Sequence, residues 1–154
     1  MNILLVCTGN TCRSSMAQGL LEQMVDDDGD RSTQVDSAGL NVYVSTEASE
    51  HAVAVMEEMG IDISNHRSKQ LTKEEIDWAD LVLVMTPSHR STLIDLFPQE
   101  AGKIYTLLEY AYGRDEAVSD PFGMDVEEYR QCAVQIRDAL QAAYRKIKVQ
   151  GENA

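Results

Sequence analysis

Cysteine, basic side chains and long apolar runs are all scarce in this chain of 154 residues. Three cysteines do not make a disulfide framework, which excludes the small disulfide-stapled folds and is typical of a reducing compartment. No apolar stretch approaches the ~20 residues of a membrane-spanning helix. Because Met1 leads directly into a strand-like segment, we expect no secretory signal, no membrane partner and a cytoplasmic protein.

The charge balance is strongly acidic. Lys and Arg number 13 against 26 Asp and Glu, which gives a formal net charge of −13. Such a surface repels nucleic acid as well as anionic membranes, so we expect neither as a partner. The acidic cluster of Asp26, Asp27, Asp28 and Asp30 is interpreted as a solvated loop without a function.

Metal-ligating patterns are missing as well. His51 and His66 lie apart in the sequence, and neither has a cysteine or a carboxylate at ligand spacing. Exposed or locally hydrogen-bonded histidines are the simpler interpretation. We therefore predict no metal and no cofactor.

What the chain does contain is an alternation of strand and helix patterns. The strand patterns cover residues 2–6, 34–40, 81–85 and 104–106, and two of them are apolar throughout, which indicates strands buried on both faces. Helix patterns begin near residue 15 and then cover 51–59, 72–78, 87–96 and a long segment from 125, with fraying expected at 150–154. We predict one α/β domain over residues 1–154, with a parallel sheet covered by helices on both sides.

The chain is organised around its first 15 residues, MNILLVCTGNTCRSS. A buried strand pattern ends at Cys7, a turn-prone loop covers residues 8–12, and a helix pattern follows Arg13. Gly9 and Asn10 tolerate positive φ, so the loop can curl and direct successive backbone N–H groups at one point. The helix N-terminus adds free N–H groups of its own, and the loop is therefore a predicted binding site for phosphate or a similar oxyanion.

The side chains of this segment supply the chemistry of phosphoryl transfer. A cysteine beside a helix N-terminus and an arginine is commonly ionised, so we expect Cys7 to act as a nucleophile. Arg13 offers a planar fork to two phosphoryl oxygens, and Ser14 can donate its hydroxyl to the sulfur. A cysteine and an arginine alone would more simply be a buried thiol beside a surface cation, but the register of strand, loop and helix favours a site.

A thiolate that attacks phosphorus needs an acid for the leaving group and later a base for water, and one carboxyl group can serve both steps. Asp120 in VSDPFG at 118–123 is the candidate, because Pro121 stiffens the backbone after it and Phe122 can wall the mouth of a pocket. On spacing alone, an ordinary Asp-Pro turn is the favoured interpretation.

Taken together, VCTGNTCRS at 6–14 and DPFG at 120–123 resemble the low-molecular-weight protein tyrosine phosphatase family. The similarity extends over nearly the whole chain, through DSAG at 36–39, LTKEE at 71–75 and LVLVMT at 81–86. The resemblance implies a three-layer α/β sandwich whose four-stranded parallel sheet carries a phosphate-binding loop after the first strand. It also implies a phosphorylated protein as the substrate.

The resemblance assigns roles to individual residues. Cys7 would be the nucleophile, Arg13 the clamp on phosphoryl oxygens, and Asp120 the acid and then the base. Asn10 would shape the loop and Ser14 would support the thiolate. Ser15, where the family often has proline, is a departure that removes no catalytic group. The residues expected to contact the substrate are Thr8, Gly9, Asn10, Thr11, Cys12, Ser14 and Phe122.

Thr11 is the informative position for the choice of substrate. Tyrosine-directed members of the family usually carry a bulky aliphatic residue there, whereas the protein arginine phosphatase branch is similar to this chain in Thr11, in DPFG and in Met85–Thr86. A threonine hydroxyl can accept a hydrogen bond from the guanidinium of phosphoarginine, which an aliphatic side chain cannot, although Thr11 could also be a simple turn residue. We predict hydrolysis of protein phosphoarginine through a phosphocysteine intermediate, with tyrosine phosphatase activity as the alternative.

The other two cysteines have different interpretations. Cys12 lies five residues from Cys7 across the loop and could trap an oxidised Cys7 as a reversible disulfide, which predicts redox sensitivity; a small loop residue is the alternative. Cys132 is expected to pack near the inner side of the last helix.

Two further function classes compete. Thiol-dependent arsenate reductases resemble the same scaffold, but they need additional cysteines, which residues 81–96 lack. A non-catalytic phosphate-binding module would have no need for Cys7 and Asp120 together.

Overall fold

The apolar strand patterns lie at the centre of the sheet. In the computed structural model, which describes residues 1–152, β1 (Asn2–Cys7) and β3 (Leu81–Val84) pair with each other. The outer strands are β2 (Gln34–Gly39) beside β1 and β4 (Ile104–Thr106) beside β3. All pairings are parallel, in the order β2-β1-β3-β4, which confirms the predicted four-stranded parallel sheet.

Helices cover both faces of this sheet. They are α1 (Arg13–Asp27), α2 (Glu50–Glu58), α3 (Lys73–Trp78), α4 (Pro87–Leu96), α5 (Leu107–Tyr112) and α6 (Val126–Glu152), with a 3₁₀ helix at Pro98–Lys103 between α4 and β4.

Two buried clusters hold the layers together. Alternate residues of a strand point to opposite faces, so Ile3 and Leu5 pack with residues of α1, α2, α5 and α6. Leu4 and Val6 instead pack with residues of α3 and α4 on the other face. The sheet is therefore the middle of three layers, as predicted.

Three helix starts that the capping pattern predicted are confirmed. The side chains of Thr72, Thr86 and Asp125 each accept a hydrogen bond from the backbone N–H three residues further on, at 3.4, 3.0 and 3.1 Å. These bonds satisfy donors that have no partner inside the helix.

The sequence patterns did not predict α5, and they ended α6 too early. Thr106 both ends β4 and caps α5, since its hydroxyl accepts from the Glu109 N–H at 3.0 Å. A helix of six residues directly after a strand is too short to show an apolar period. The fraying predicted for 150–154 is wrong as far as Glu152, where α6 ends; residues 153 and 154 lie outside the described residues.

The acidic cluster is solvated only in part. Asp26, Asp27 and Asp28 are exposed, as expected. The Asp30 side chain is only 2% exposed and accepts hydrogen bonds from Thr33 at 2.6 Å and from Tyr144 of α6 at 2.9 Å. The interpretation as a solvated loop is therefore wrong for Asp30, which joins the loop after α1 to the last helix.

Within residues 1–152, no helix is both long enough and apolar enough to cross a membrane.

Candidate active site

A small cavity opens at the carboxyl edge of the sheet, where ligands of parallel α/β folds gather. Its volume is about 230 Å³. It lies where β1 ends at Cys7 and α1 begins at Arg13, and it is closed on the far side by the segment that precedes α6. The lining residues are Cys7, Thr8, Gly9, Asn10, Thr11, Cys12, Arg13, Asp120 and Phe122. The structure thus brings together all the predicted site residues except Ser14, which lies buried behind the loop.

The loop curls at Asn10. Among the non-glycine residues 1–152, Asn10 is the one in the left-handed region, with φ of 58°. Gly9 does not adopt a positive φ, and a Cβ there would meet only Thr11 Oγ1, at 3.7 Å. Of the two residues expected to tolerate positive φ, Asn10 alone adopts it, and Gly9 takes part in the loop without it.

Hydrogen bonds hold Asn10 in this conformation. Its Nδ2 donates to Ser14 Oγ at 2.8 Å and to Ser37 Oγ at 2.9 Å, and its Oδ1 accepts from the Lys69 N–H at 3.1 Å. His66 Nε2 lies 2.7 Å from the Asn10 carbonyl oxygen, which can only accept, so Nε2 carries the hydrogen.

His66 thus has a part that the sequence did not predict. It is half-buried, and its hydrogen-bond partner is remote in sequence rather than local. Burial lowers the pKa of His66, and the hydrogen bond to the Asn10 carbonyl opposes that shift. Ser37 and Lys69 were missed in the same way. The one signal in the sequence was that Ser37 lies in DSAG, a motif near the carboxyl end of the strand pattern at 34–40.

The sulfur of Cys7 lies at the floor of the cavity and is surrounded by donors. The residue is 3% exposed, and its Sγ accepts from the Asn10 N–H at 3.3 Å. Ser14 Oγ lies 2.9 Å from the same sulfur and already accepts from Asn10 Nδ2. When Cys7 is a thiolate, its sulfur can only accept, and the single Ser14 hydrogen then points at it.

The Arg13 side chain is held by the segment that precedes α6. Its side chain is 6% exposed, and Nη1 donates to the Val118 carbonyl at 3.0 Å. Nη2 lies 3.4 Å from Asp120 Oδ2. Val118 is itself anchored to the sheet, because its N–H donates to the Met85 carbonyl at 2.8 Å. Arg13 lines the same cavity as Cys7.

Asp120 forms a turn and also reaches the site, so the two interpretations of this residue are compatible. Its Oδ1 accepts from the Phe122 N–H at 3.1 Å, the hydrogen bond of an Asx turn. Its side chain is 50% exposed, which leaves the carboxylate in contact with solvent. Phe122 is 71% exposed and stands at the cavity mouth.

Another histidine was missed altogether. His89, in the first turn of α4, is buried, and its Nε2 lies 2.8 Å from Thr8 Oγ1. Its position three residues after the Thr86 cap was an indirect signal.

The three cysteines are all free thiols. Cys12 is 5% exposed, and its Sγ lies 3.2 Å from the Tyr129 hydroxyl oxygen. Burial, followed by the bond to Cys12, raises the pKa of Tyr129 to about 12. Cys132 is packed on α6 as predicted, with Sγ 3.7 Å from the Ser119 carbonyl oxygen. Burial raises the pKa of the Cys132 thiol to about 12, so it is a poor nucleophile.

Comparison with known proteins agrees with this geometry. A protein-arginine-phosphatase of Geobacillus stearothermophilus is 40% identical over 148 residues, covering 96% of this chain and 97% of the relative. A probable low molecular weight protein-tyrosine-phosphatase, EpsP, of Ralstonia nicotianae is 34% identical over 149 residues and covers 97% of both chains.

Solved structures give the same result. The YwlE arginine phosphatase, in a C7S mutant with a phosphorylated active-site serine, superposes with a TM-score of 0.91 at 36% identity and covers 96% of each chain. The family model described as low molecular weight phosphotyrosine protein phosphatase matches residues 2–153. The chain therefore belongs to the low molecular weight phosphotyrosine protein phosphatase family.

Proposed function

We propose that this protein is a cytoplasmic, cysteine-dependent protein phosphatase that hydrolyses phosphoarginine through a phosphocysteine intermediate, and that residues 1–154 form one phosphatase domain. The observation that carries this proposal is the Cys7 sulfur at the floor of the cavity, where it accepts from the Asn10 N–H at 3.3 Å and lies 2.9 Å from the Ser14 hydroxyl. A sulfur held by donors is stabilised as an anion and exposed to a substrate only through the cavity.

In the first step the Cys7 sulfur attacks phosphorus and forms an S–P bond. The P–N bond breaks, and its electron pair goes to the guanidine nitrogen. Asp120, in its protonated form, supplies the proton for that nitrogen. Protonation makes the guanidine nitrogen a better leaving group, so the acid accelerates this step. The products are the free arginine side chain and phosphocysteine.

In the second step water hydrolyses the intermediate. The Asp120 carboxylate removes a proton from water, the water oxygen attacks phosphorus, and the S–P bond breaks with its electron pair returning to Cys7. Inorganic phosphate then leaves. Asp120 can serve both steps because it lies at the cavity rim, in contact with solvent and 3.4 Å from Arg13.

Charge on the phosphoryl oxygens is balanced by the loop and by Arg13. The backbone N–H groups at a helix N-terminus and a guanidinium fork are suited to a trigonal, doubly charged group. Because the hydrogen bond to Val118 fixes Arg13 before the substrate arrives, little reorganisation is needed during the reaction.

Thr11 supports arginine as the substrate. It lines the cavity, and within residues 1–152 its hydroxyl has one weak hydrogen-bond partner, the Cys12 sulfur at 3.7 Å. The hydroxyl can therefore accept from a guanidinium N–H close to phosphorus. The name of the relative from Geobacillus stearothermophilus also supports this substrate.

The test compares phosphoarginine and phosphotyrosine peptides of the same sequence. We expect the parent protein to favour phosphoarginine in kcat/KM, and Thr11→Ile to shift the ratio toward phosphotyrosine by about tenfold to hundredfold, because a guanidinium donor loses its acceptor. Thr11→Ser, which keeps the hydroxyl, is the matched control and should keep the preference. A Thr11→Ile protein with the parent's ratio would remove Thr11 from the proposal.

Cys7→Ser tests the nucleophile. We expect it to abolish turnover of p-nitrophenyl phosphate, because a serine hydroxyl is far less nucleophilic than a thiolate. Turnover by the parent would exclude a non-catalytic phosphate-binding module. Turnover retained in Cys7→Ser would show that the nucleophile has been misassigned.

Tyrosine phosphatase activity is the second candidate. The description of the family model and the relative from Ralstonia nicotianae favour it. A parent protein that prefers phosphotyrosine peptides would establish it in place of phosphoarginine hydrolysis, with the same Cys7 and Asp120 chemistry.

A further inference from the structure

His89 connects α4 to the phosphate-binding loop, because its Nε2 lies 2.8 Å from Thr8 Oγ1. Its helix begins directly after β3, the strand beside β1, so both segments start from the same edge of the sheet. Thr86 caps the helix by accepting from the His89 N–H at 3.0 Å, and Pro87 occupies the first turn. The backbone of His89 is thus fixed relative to the loop.

The imidazole is buried and makes a single hydrogen bond. His89 is 8% exposed, and its Nε2 lies 2.8 Å from Thr8 Oγ1. Its Nδ1 is also buried and has no hydrogen-bond partner within residues 1–152. A buried histidine with one unsatisfied nitrogen costs stability, so its presence needs an explanation other than packing.

The ring is neutral near pH 7. Burial and then the charge of Arg13 lower the pKa of His89 to about 4, against an opposing effect of Asp120. A neutral imidazole has one N–H. On Nδ1 that hydrogen would be an unpaired buried donor, whereas on Nε2 it is shared with Thr8, so the Nε2–H form fits this site.

The hydrogen bond from His89 determines whether the Thr8 hydroxyl hydrogen is free to donate. When its oxygen accepts from His89, its one hydrogen is free to point elsewhere. Thr8 is exposed and lines the cavity next to Cys7. The hydrogen is then available to an oxygen of a bound phosphoryl group.

We propose that His89 is a positioning residue of the phosphatase reaction, whose imidazole holds the Thr8 hydroxyl so that it donates to a phosphoryl oxygen. The inference rests on the proposed function and adds a hydroxyl donor to the loop amides and Arg13. His89 itself does not touch the substrate.

The experiment measures the binding of inorganic phosphate by titration calorimetry at pH 7, together with KM and kcat for p-nitrophenyl phosphate. His89→Leu removes the hydrogen bond and keeps an apolar side chain, and Thr8→Val removes the hydroxyl and keeps the shape. We expect each to weaken phosphate binding and raise KM by about tenfold, as the loss of one hydrogen bond to a charged ligand predicts.

The double variant and the conservative variants separate positioning from general damage. Since the two residues act as one unit, the double variant His89→Leu with Thr8→Val should lose no more phosphate affinity than Thr8→Val alone. His89→Gln, whose amide can occupy the place of Nε2, and Thr8→Ser should stay within about threefold of the parent, because the hydrogen bond is retained.

Three results would overturn the inference. One is phosphate binding by His89→Leu as tight as in the parent. Another is a double variant whose phosphate affinity falls by about a hundredfold, the product of the two single losses. The third is a lower Tm in His89→Leu with unchanged KM and phosphate affinity, which is what a structural role alone would give. A parent protein that neither binds phosphate nor turns over p-nitrophenyl phosphate would instead refute the proposed function.

Discussion

At the scale of single residues, the site depends on Asn10, which combines a left-handed backbone conformation with side-chain hydrogen bonds to three other residues. It tolerates a φ of 58°, and its side-chain amide binds Ser14 and Ser37 while its carbonyl oxygen accepts from the Lys69 N–H. Glycine would allow the turn but lose the amide, and alanine would lose both. Asn10 Nδ2 also donates to the Ser14 hydroxyl, which leaves the hydrogen of that hydroxyl available to a Cys7 thiolate.

Asp120→Asn should lower kcat because the variant cannot deliver a proton to the leaving group. We expect a loss of about 10²-fold to 10⁴-fold with a phosphoarginine peptide. The p-nitrophenolate leaving group needs less protonation, so the loss with p-nitrophenyl phosphate should be smaller. Steady-state kinetics with the two substrates measure this difference. Equal losses with both would mean that Asp120 does not act as the acid.

Cys12→Ser tests the redox prediction. Cys12 lines the same cavity as Cys7. Peroxide would oxidise the Cys7 thiolate to a sulfenic acid, and attack by the Cys12 sulfur would release water and form a disulfide. We expect dithiothreitol to restore activity in the peroxide-treated parent but not in Cys12→Ser.

Cys132→Ser is the matched control for this experiment. Its thiol is buried and has a pKa of about 12, so this variant should recover as the parent does. Equal recovery in Cys12→Ser and the parent would rule out the protective disulfide.

At the scale of elements, two threonine caps start two helices that differ in their relation to the site. Thr86 begins α4 and fixes His89, whereas Thr72 begins α3 away from the cavity. Removal of either hydroxyl should lower the free energy of unfolding by about 1 kcal/mol.

Thr86→Ala and Thr72→Ala should therefore differ in activity and agree in stability. We expect both to lower Tm by roughly 2–4 °C. Only Thr86→Ala should also raise KM for p-nitrophenyl phosphate, because its helix start carries His89. Thermal unfolding and steady-state kinetics on both proteins provide the check. A Thr86→Ala protein with the parent's KM would show that the cap does not position the loop.

At the scale of the whole molecule, the long α6 is joined to the loop after α1 through Asp30. Tyr144 and Lys148 of α6 both contact this carboxylate, at 2.9 and 3.2 Å. Hydrogen bonds, first from Thr33 and then from Ser32 and Tyr144, hold the pKa of the Asp30 carboxyl well below its usual range, against the opposing effect of burial.

The stability that Asp30 contributes should depend on pH. Because its pKa is lower in the folded than in the unfolded state, the contribution is fully present above the unfolded value of ~3.9 and is lost as the pH falls below it. We expect Asp30→Asn to lower Tm at pH 7 by a few degrees and to differ less from the parent at pH 3. Asp26→Asn, at an exposed position, is the control and should change little at either pH. A difference between Asp30→Asn and the parent that is as large at pH 3 as at pH 7 would contradict this assignment.

The sequence by itself determined the fold class and the local order of the site. Two apolar runs of strand length indicated strands buried on both faces of a parallel sheet, and the caps at Thr72, Thr86 and Asp125 are local patterns within four residues. The spacing from Cys7 to Arg13 also needed no tertiary information, because strand, loop and helix start are contiguous. Spacing alone left open whether Asp120 is a catalytic acid or part of an ordinary Asp-Pro turn. The resemblance of the motifs to a known family then favoured the catalytic role.

Only the tertiary structure decided which remote residues hold the loop. Ser37, His66 and Lys69 reach Asn10 across 27, 56 and 59 positions of the chain, and His89 reaches Thr8 across 81. No periodicity or local motif marks such partners, since they are selected by which strand ends and helix starts meet at one edge of the sheet. The physical reason is that a buried polar group needs a partner in space, wherever that partner lies in the sequence.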